Sequence, residues 1–154
     1  MELAEKKVEI TRMDDSEIDK IRKLESVLLQ FPQVKLETTH VLHAGIYSRT
    51  IKIPKGTLFT GALIKIPTVL IIQGHCKVYM GESSKDYIGY NVIPASANRK
   101  GGAYAYEDTW ATVLCATNAS SVEEAEKELT DEFLSLMSNN NLAENHYITI
   151  GEHK

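Results

Sequence analysis

Residues 54–74 read PKGTLFTGALIKIPTVLIIQG. Two runs that are apolar but not helical, Leu58 to Lys65 and Thr68 to Ile72, lie between the turn signals Pro54-Lys55-Gly56 and Gln73-Gly74. Short apolar runs punctuated by Gly and Pro read as strands. Gly61, inside the first run, predicts a bulge or a close approach of another backbone. Pro67 opens the second run. Gln73-Gly74 predicts a turn, after which Cys76 to Met80 pairs back.

Working outward, the same pattern fills residues 34–117. Thr38 to His43 is a candidate strand, and Gly45 interrupts it. Ile46 to Ile53 then alternates, with Tyr47, Arg49, Ile51 and Ile53 on one face and Ile46, Ser48, Thr50 and Lys52 on the other. Glu82 to Lys85 reads as a polar loop. Tyr87 to Ile93, Ala103 to Tyr106 and Trp110 to Thr117 are further strands, with a loop at Asn98-Arg99-Lys100-Gly101-Gly102. Turn residues recur every 8–12 positions, which argues for a sandwich or barrel. No helical pattern separates consecutive strands, which argues against a parallel doubly wound sheet.

Helices are predicted on either side, at about 15–31 and 121–138. The first has Asp14 or Asp15 as its cap and Glu17 in its first turn. Ile18, Ile21, Leu24, Val27/Leu28 and Phe31 form its apolar stripe, and Pro32 ends it. The second opens on the capping box Ser121-Val122-Glu123-Glu124. Its stripe is Val122, Ala125, Leu129, Phe133 and Leu136/Met137, and Asn139-Asn140-Asn141 stops it. Tyr147 to Ile150 reads as a final edge strand. Lys7 to Thr11 reads as a short strand, or as an arm on a partner subunit.

The chain has 154 residues, enough for one domain with a real core. Its net charge of −4 and pI near 5.7 disfavour a duplex nucleic-acid partner. Lys20 to Lys23 lies on the first helix beside Glu17 and Glu25 and reads as a solvated face. Two cysteines without a CxxC do not make a disulfide framework. The first residues hold no apolar signal core, and no run of 18 apolar residues offers a membrane span. These features lead to the expectation of a cytoplasmic protein with no membrane partner.

With the strands placed, the chain resembles the cupins, small jelly-roll barrels with two signature segments. Gly56 through Gly74 has the length and turn pattern of the first segment. Pro94-Ala95-Ser96-Ala97-Asn98-Arg99 is similar to the turn of the second, with Ser96 where glycine is usual. THVLHAGIYSRTIKIPKGTLFTGA, then Gln73-Gly74, then NRKGGAYAYEDTW, resemble small cupin-like proteins associated with phage and prophage genomes. The resemblance implies an all-β cupin-like jelly roll, a single domain over 1–154, and a phage-encoded protein acting in the host cytoplasm. Cupin metal sites use three imidazoles and a carboxylate. The resemblance puts the corresponding positions at Ala62, Ile64, Pro67 or Thr68, and Arg99 or Leu114, none of which is His, Asp or Glu. A metal-free barrel without cofactor is therefore expected.

Other residues carry the candidate site. If the Tyr47–Ile53 face points inward, Arg49 is a buried or mouth-lining cation. It then needs either Glu107/Asp108 or an anionic ligand as partner. Arg99 and Lys100 form a basic loop, read either as a solvated turn or as a clamp on an anion. Tyr104, Tyr106 and Trp110 suit a pocket wall, a subunit interface or simple packing. His40 is a pocket candidate. Cys76 and Cys115 read as inert thiols, and neither GxSxG nor HExxH is present. The expected site is His40, Tyr47, Arg49, Arg99, Tyr106 and Asp108. The arginines would hold an anion, the tyrosines would wall the pocket, and His40 and Asp108 would orient polar groups. The expected function is non-catalytic binding of a small anionic molecule at the barrel mouth, or an interaction module, in a homodimer. The alternative is an enzyme: a metal-dependent isomerase or dioxygenase using His40, His43 and His75, or a sugar-nucleotide epimerase using His40 with Tyr106 or Tyr47.

Overall fold

A computed structural model of the chain describes residues 8–136 and 144–152. Helix α1 (Asp15–Leu28) precedes seven strands: β1 (Glu37–His43), β2 (Ile46–Ile53), β3 (Leu58–Thr60), β4 (Thr68–Met80), β5 (Ser83–Ala95), β6 (Gly102–Ala105) and β7 (Thr109–Ala116). Helix α2 (Val122–Leu129), a 3-10 turn (Phe133–Ser135) and β8 (Glu144–Glu152) follow. The strands form one curled sheet in the order β3-β6-β4-β7-β2-β1-β8, with β5 on the far side of β4. All pairs are antiparallel except β1 with β8. This is the all-β jelly roll with flanking helices that the sequence predicts.

The alternation in β2 sets the inside of the barrel. Tyr47, Arg49, Ile51 and Ile53 are buried, and the residues between them are more exposed. Thr38, His40 and Leu42 on β1 face the same way. The barrel is closed at one end by Leu42, Tyr47 and Cys115, packed against Val122, Ala125 and Leu129 of α2. A second cluster, Ile72, Cys76, Val78, Tyr87 and Ile93, runs along β4 and β5.

Residues 54–74 behave differently from expectation at both ends. Only Leu58–Thr60 of the first run is a strand; Ile64 then makes an isolated bridge to Arg99. Gln73-Gly74 makes no turn, because β4 continues for 13 residues through it. Gly74 is instead where β4 changes partner, from β7 (positions 69–73) to β6 (positions 76–79). Its φ is +140°, and a Cβ there would stand 2.6 Å from Thr109 Oγ1 and 2.8 Å from the Asp108 carbonyl. Only glycine allows the β7 backbone that close. The reversal comes later, at Gly81-Glu82, between paired Met80 and Ser83. The expected polar loop at 82–85 is largely the start of β5.

Both helices end earlier than their stripes suggest. Asp14 and Glu17 make the reciprocal capping box, and Ile18 and Ile21 pack with Met13 against Leu63 and Tyr79. The Gln33 amide donates to the carbonyls of Leu28 and Phe31, closing α1 before Phe31, which is exposed. In α2, Ser121 Oγ accepts from the Glu124 N–H, while Glu124 accepts from Ser120 N–H rather than from the cap itself. Thr130 is fully buried and extended, and Lys65 N–H takes the Leu129 carbonyl, so the helix stops there and not near 138. Met137 and Asn139-Asn140-Asn141 lie outside the described residues, as does Lys7. Glu9 and Ile10 N–H donate to the Pro94 carbonyl, and Ile10 pairs with Ala95, so this segment docks on its own β5.

Candidate functional site

The barrel encloses a cavity of about 830 Å³. Its floor is read off the sheet register. Arg49, Ile51 and Ile53 of β2 line the cavity, whereas Tyr47 does not; Val113 and Ala111 of β7 line it, whereas Cys115 does not. Arg49 stands opposite Val113, and Val113 opposite Leu70. That rung is therefore the last one open to the cavity. Above it, Ile51, Ile53, Ile72, Val78 and Met80 form apolar walls. At the other end the lining residues reach solvent: Leu29 is 67% exposed, Phe31 62% and Leu134 77%. They form an apolar rim.

The ionisable groups among the described lining residues are Glu25, Arg49, Arg99 and Lys100. Lys100, expected on a solvated or mobile loop, is almost fully buried; its Nζ lies 2.9 Å from Glu25 and 3.2 Å from Glu132, so its charge is compensated. The backbone N–H of Leu63, Lys100 and Arg22 together hold the Glu132 carboxyl below its usual range despite burial. Arg99 is buried too, not solvated. Its Nη1 donates to the Ser96 carbonyl (2.6 Å) and its Nη2 to Thr68 Oγ1 (2.5 Å), and burial lowers its pKa to about 10.

Arg49 is different. It is 8% exposed, and among the described residues no carboxylate lies within ion-pair distance of it. The Glu107/Asp108 partner expected from sequence is not there: Asp108 pairs instead with Lys52 and accepts from Lys55 N–H. Among the described residues the Arg49 Nε finds no acceptor. Burial pulls the guanidinium pKa down, opposed in part by Tyr47 and by the field of Glu126, a buried carboxylate on α2. The other orphaned buried polar atom among the described residues is Thr38 Oγ1. Thr38 pairs with Ile51, so it is the diagonal cross-strand neighbour of Arg49 on the inner face.

His40 and Tyr47 sit in the wall beside this floor. His40 Nδ1 is 2.8 Å from Tyr47 Oη, and Nε2 is 2.8 Å from Asn145 Oδ1. The amide oxygen can only accept, so Nε2 carries the proton and Nδ1 accepts from the tyrosine hydroxyl. The Tyr147 ring stacks on the imidazole, and the Tyr47 ring, bonded through its hydroxyl, lies nearly parallel to it. Burial lowers its pKa, and burial pushes the Tyr47 hydroxyl far up. Both are held neutral.

The structure thus brings Arg49 and Arg99 to the cavity, with His40 and Tyr47 behind its floor. It does not bring Tyr106 or Asp108 there. Tyr106 lies at 38% exposure against His75 and Tyr104, and Asp108 sits on the outer surface beside Lys52. The reason is β6, which ends at Ala105 and leaves residues 106–108 in the turn to β7. His43 and His75 do not join His40 either, since both stand on outward positions of β1 and β4. Sequence reasoning passed over Thr38, whose alternation with His40 places it inward, and the rim leucines, whose exposure only packing reveals.

The positions that the resemblance aligned with metal ligands do converge. Ile64 and Arg99 exchange backbone hydrogen bonds, Arg99 reaches Thr68, and Ala62 lines the cavity beside them. These residues do not fit a metal: they supply a guanidinium, a hydroxyl and hydrocarbon. Among the described residues no three His, Cys, Asp or Glu side chains gather.

No protein-family model matches the sequence, and neither does any curated protein. Solved structures do resemble the fold. A cupin-2 domain containing protein from Shewanella frigidimarina matches at 8% identity and a TM-score of 0.43, over 60% of this chain and 91% of that one. Salicylate 1,2-dioxygenase from Pseudoaminobacter salicylatoxidans, in a structure of its adducts with gentisate, reaches a TM-score of 0.50 at 10% identity, over 73% of this chain and 34% of that one.

The chain has the cupin fold.

KdgF from Halomonas sp. is a further cupin-fold neighbour, at 16% identity and a TM-score of 0.47, over 58% of this chain and 87% of that one. At such identities the likeness concerns the fold. The cupin barrel carries enzymes and non-enzymes alike, so function has to be argued from the cavity.

Proposed function

We propose that this cupin-fold chain is a metal-free binding protein that holds a small anionic molecule in its barrel cavity and catalyses no reaction. Arg49 carries the reading. A guanidinium taken out of water without a carboxylate costs several kcal/mol unless something negative joins it. The lining supports binding over catalysis, because among the described residues it presents no histidine, cysteine, tyrosine or unpaired carboxylate to the cavity. The volume falls within the roughly 300–1,000 Å³ of small-molecule sites. The resemblance to phage and prophage proteins supports a phage origin and action in the host cytoplasm. Native mass spectrometry of protein taken directly from cells tests the reading. A retained anion that is absent from Arg49→Met is expected. Stoichiometric iron, manganese or zinc would contradict it.

The same reading includes a second copy of the chain. The outer face carries Ile88, Tyr90, Val92, Val69 and Trp110 at 40–71% exposure, in register across β5, β4 and β7. The exposed parts of these five side chains supply part of the roughly 800 Å² per partner that a stable dimer buries. A long apolar edge such as β5 is otherwise an aggregation hazard.

A further inference from the structure

Resting on that reading, we infer that the ligand is an amphipathic monocarboxylate, bound with its carboxylate on Arg49 at the cavity floor and its apolar body running up the barrel to the rim. Three observations lead to this class. The first is the count of free donors. Arg99 has both Nη groups engaged, by Ser96 and Thr68, and Lys100 sits between two carboxylates. Arg49 has neither an ion pair nor an acceptor for its Nε among the described residues; Arg99 has no ion pair among them either, but is tied down by its bonds to Ser96 and Thr68. One free guanidinium matches one carboxylate in charge and in its planar two-pronged geometry. A phosphate or a dicarboxylate would bring a second negative charge, which only Arg99, already tied to Ser96 and Thr68, could meet. The Thr38 hydroxyl, orphaned on the adjacent rung, lies behind that part of the wall.

The second observation is the wall. From the floor upward, Ile51, Ile53, Ile72, Val78 and Met80 offer no hydrogen bond, and of the polar lining side chains Gln33 and Thr60 already donate to Leu28, Phe31 and Glu25, so a sugar or a nucleotide would leave most of its hydroxyls unsatisfied. An alkyl or aryl body is stabilised by the same surface. The third is the rim. Leu29, Phe31 and Leu134 line the cavity yet stand more than half exposed, an arrangement that covers the end of an apolar ligand rather than a hydrated one.

The test is isothermal titration of the full chain, as a wild-type and Arg49→Met pair, with decanoate, 1-decanol, citrate and inorganic phosphate. Circular dichroism first establishes that the variant is folded. Decanoate is expected to bind one per chain in the micromolar range, at least tenfold tighter than 1-decanol and a hundredfold tighter than citrate or phosphate. In Arg49→Met the preference for decanoate over 1-decanol is expected to vanish, while the alcohol still binds. If citrate or phosphate binds as tightly as decanoate and is lost in the variant, the class is overturned and the small-anion reading stands. If 1-decanol matches decanoate in the wild type, or if no anion binds at all, both are overturned.

Discussion

At the scale of single residues, the inner face of β2 divides the protein into a sealed half and an open half. Tyr47 belongs to the packed plug and Arg49 to the cavity, two positions apart on one strand. His40 links them, and its neutral state makes a measurable demand. The unfolded imidazole titrates near 6.5, and burial lowers that value in the folded chain, with Asn145 opposing and Arg49 assisting the shift. Below pH 6.5 the unfolded chain therefore binds more protons than the folded one. Stability from this group is complete above that pH and falls as pH drops towards the folded value. Urea midpoints measured from pH 7.5 to 5.5 should decline, and His40→Gln, which cannot take the proton, should decline less. An equal slope in the two proteins would mean that His40 does not couple to folding. The inward direction of Arg49 was legible in the alternation of residues 46–53. The burial of Arg99 was not, because it depends on Thr68 and Ile64, which are more than thirty positions away in sequence.

At the scale of elements, glycine at position 74 does more than a turn would. It lets one 13-residue strand serve two neighbours, first β7 and then β6, so a single β4 spans both the sealed and the open part of the barrel. The Gln73-Gly74 pair looks like a turn because turns and close backbone approaches call for the same residue; only the position of Thr109 separates the two. Gly74→Ala forces a Cβ against the β7 backbone at a φ that L-residues avoid. It should destabilise the fold by about 2–3 kcal/mol, read as a lowered denaturant midpoint. A midpoint within a few tenths of wild type would show that β7 can move aside. The helix ends were misjudged for a related reason. An apolar stripe shows which face a helix buries, but not where a buried Thr130 or the Gln33 amide will stop it.

At the scale of the whole molecule, the proposed ligand and the proposed second copy would use separate surfaces: the cavity with its rim, and the outer sheet face. The fold class was legible because turn signals and period-two runs are local properties. Which tyrosines and carboxylates would share a pocket was not, since Tyr106 and Asp108 fall just past the end of β6. If the outer face joins two copies, Ile88→Asp, placed where the side chain is 71% exposed in one copy, should shift sedimentation from dimer to monomer without lowering the melting temperature of the subunit. A wild-type monomer at tens of micromolar would remove the dimer.

The proposed binding requires Arg49 to be a cation that the protein itself does not neutralise. Thermal unfolding of ligand-free wild type and Arg49→Met, side by side, tests this most directly. Replacing an uncompensated buried charge by a side chain of similar length should stabilise the empty protein by about 1–3 kcal/mol, a rise of several degrees at about 2–4 °C per kcal/mol for a domain of this size. A melting temperature that falls instead would mean that Glu126 already balances Arg49, and that the cavity has no charge waiting for a ligand.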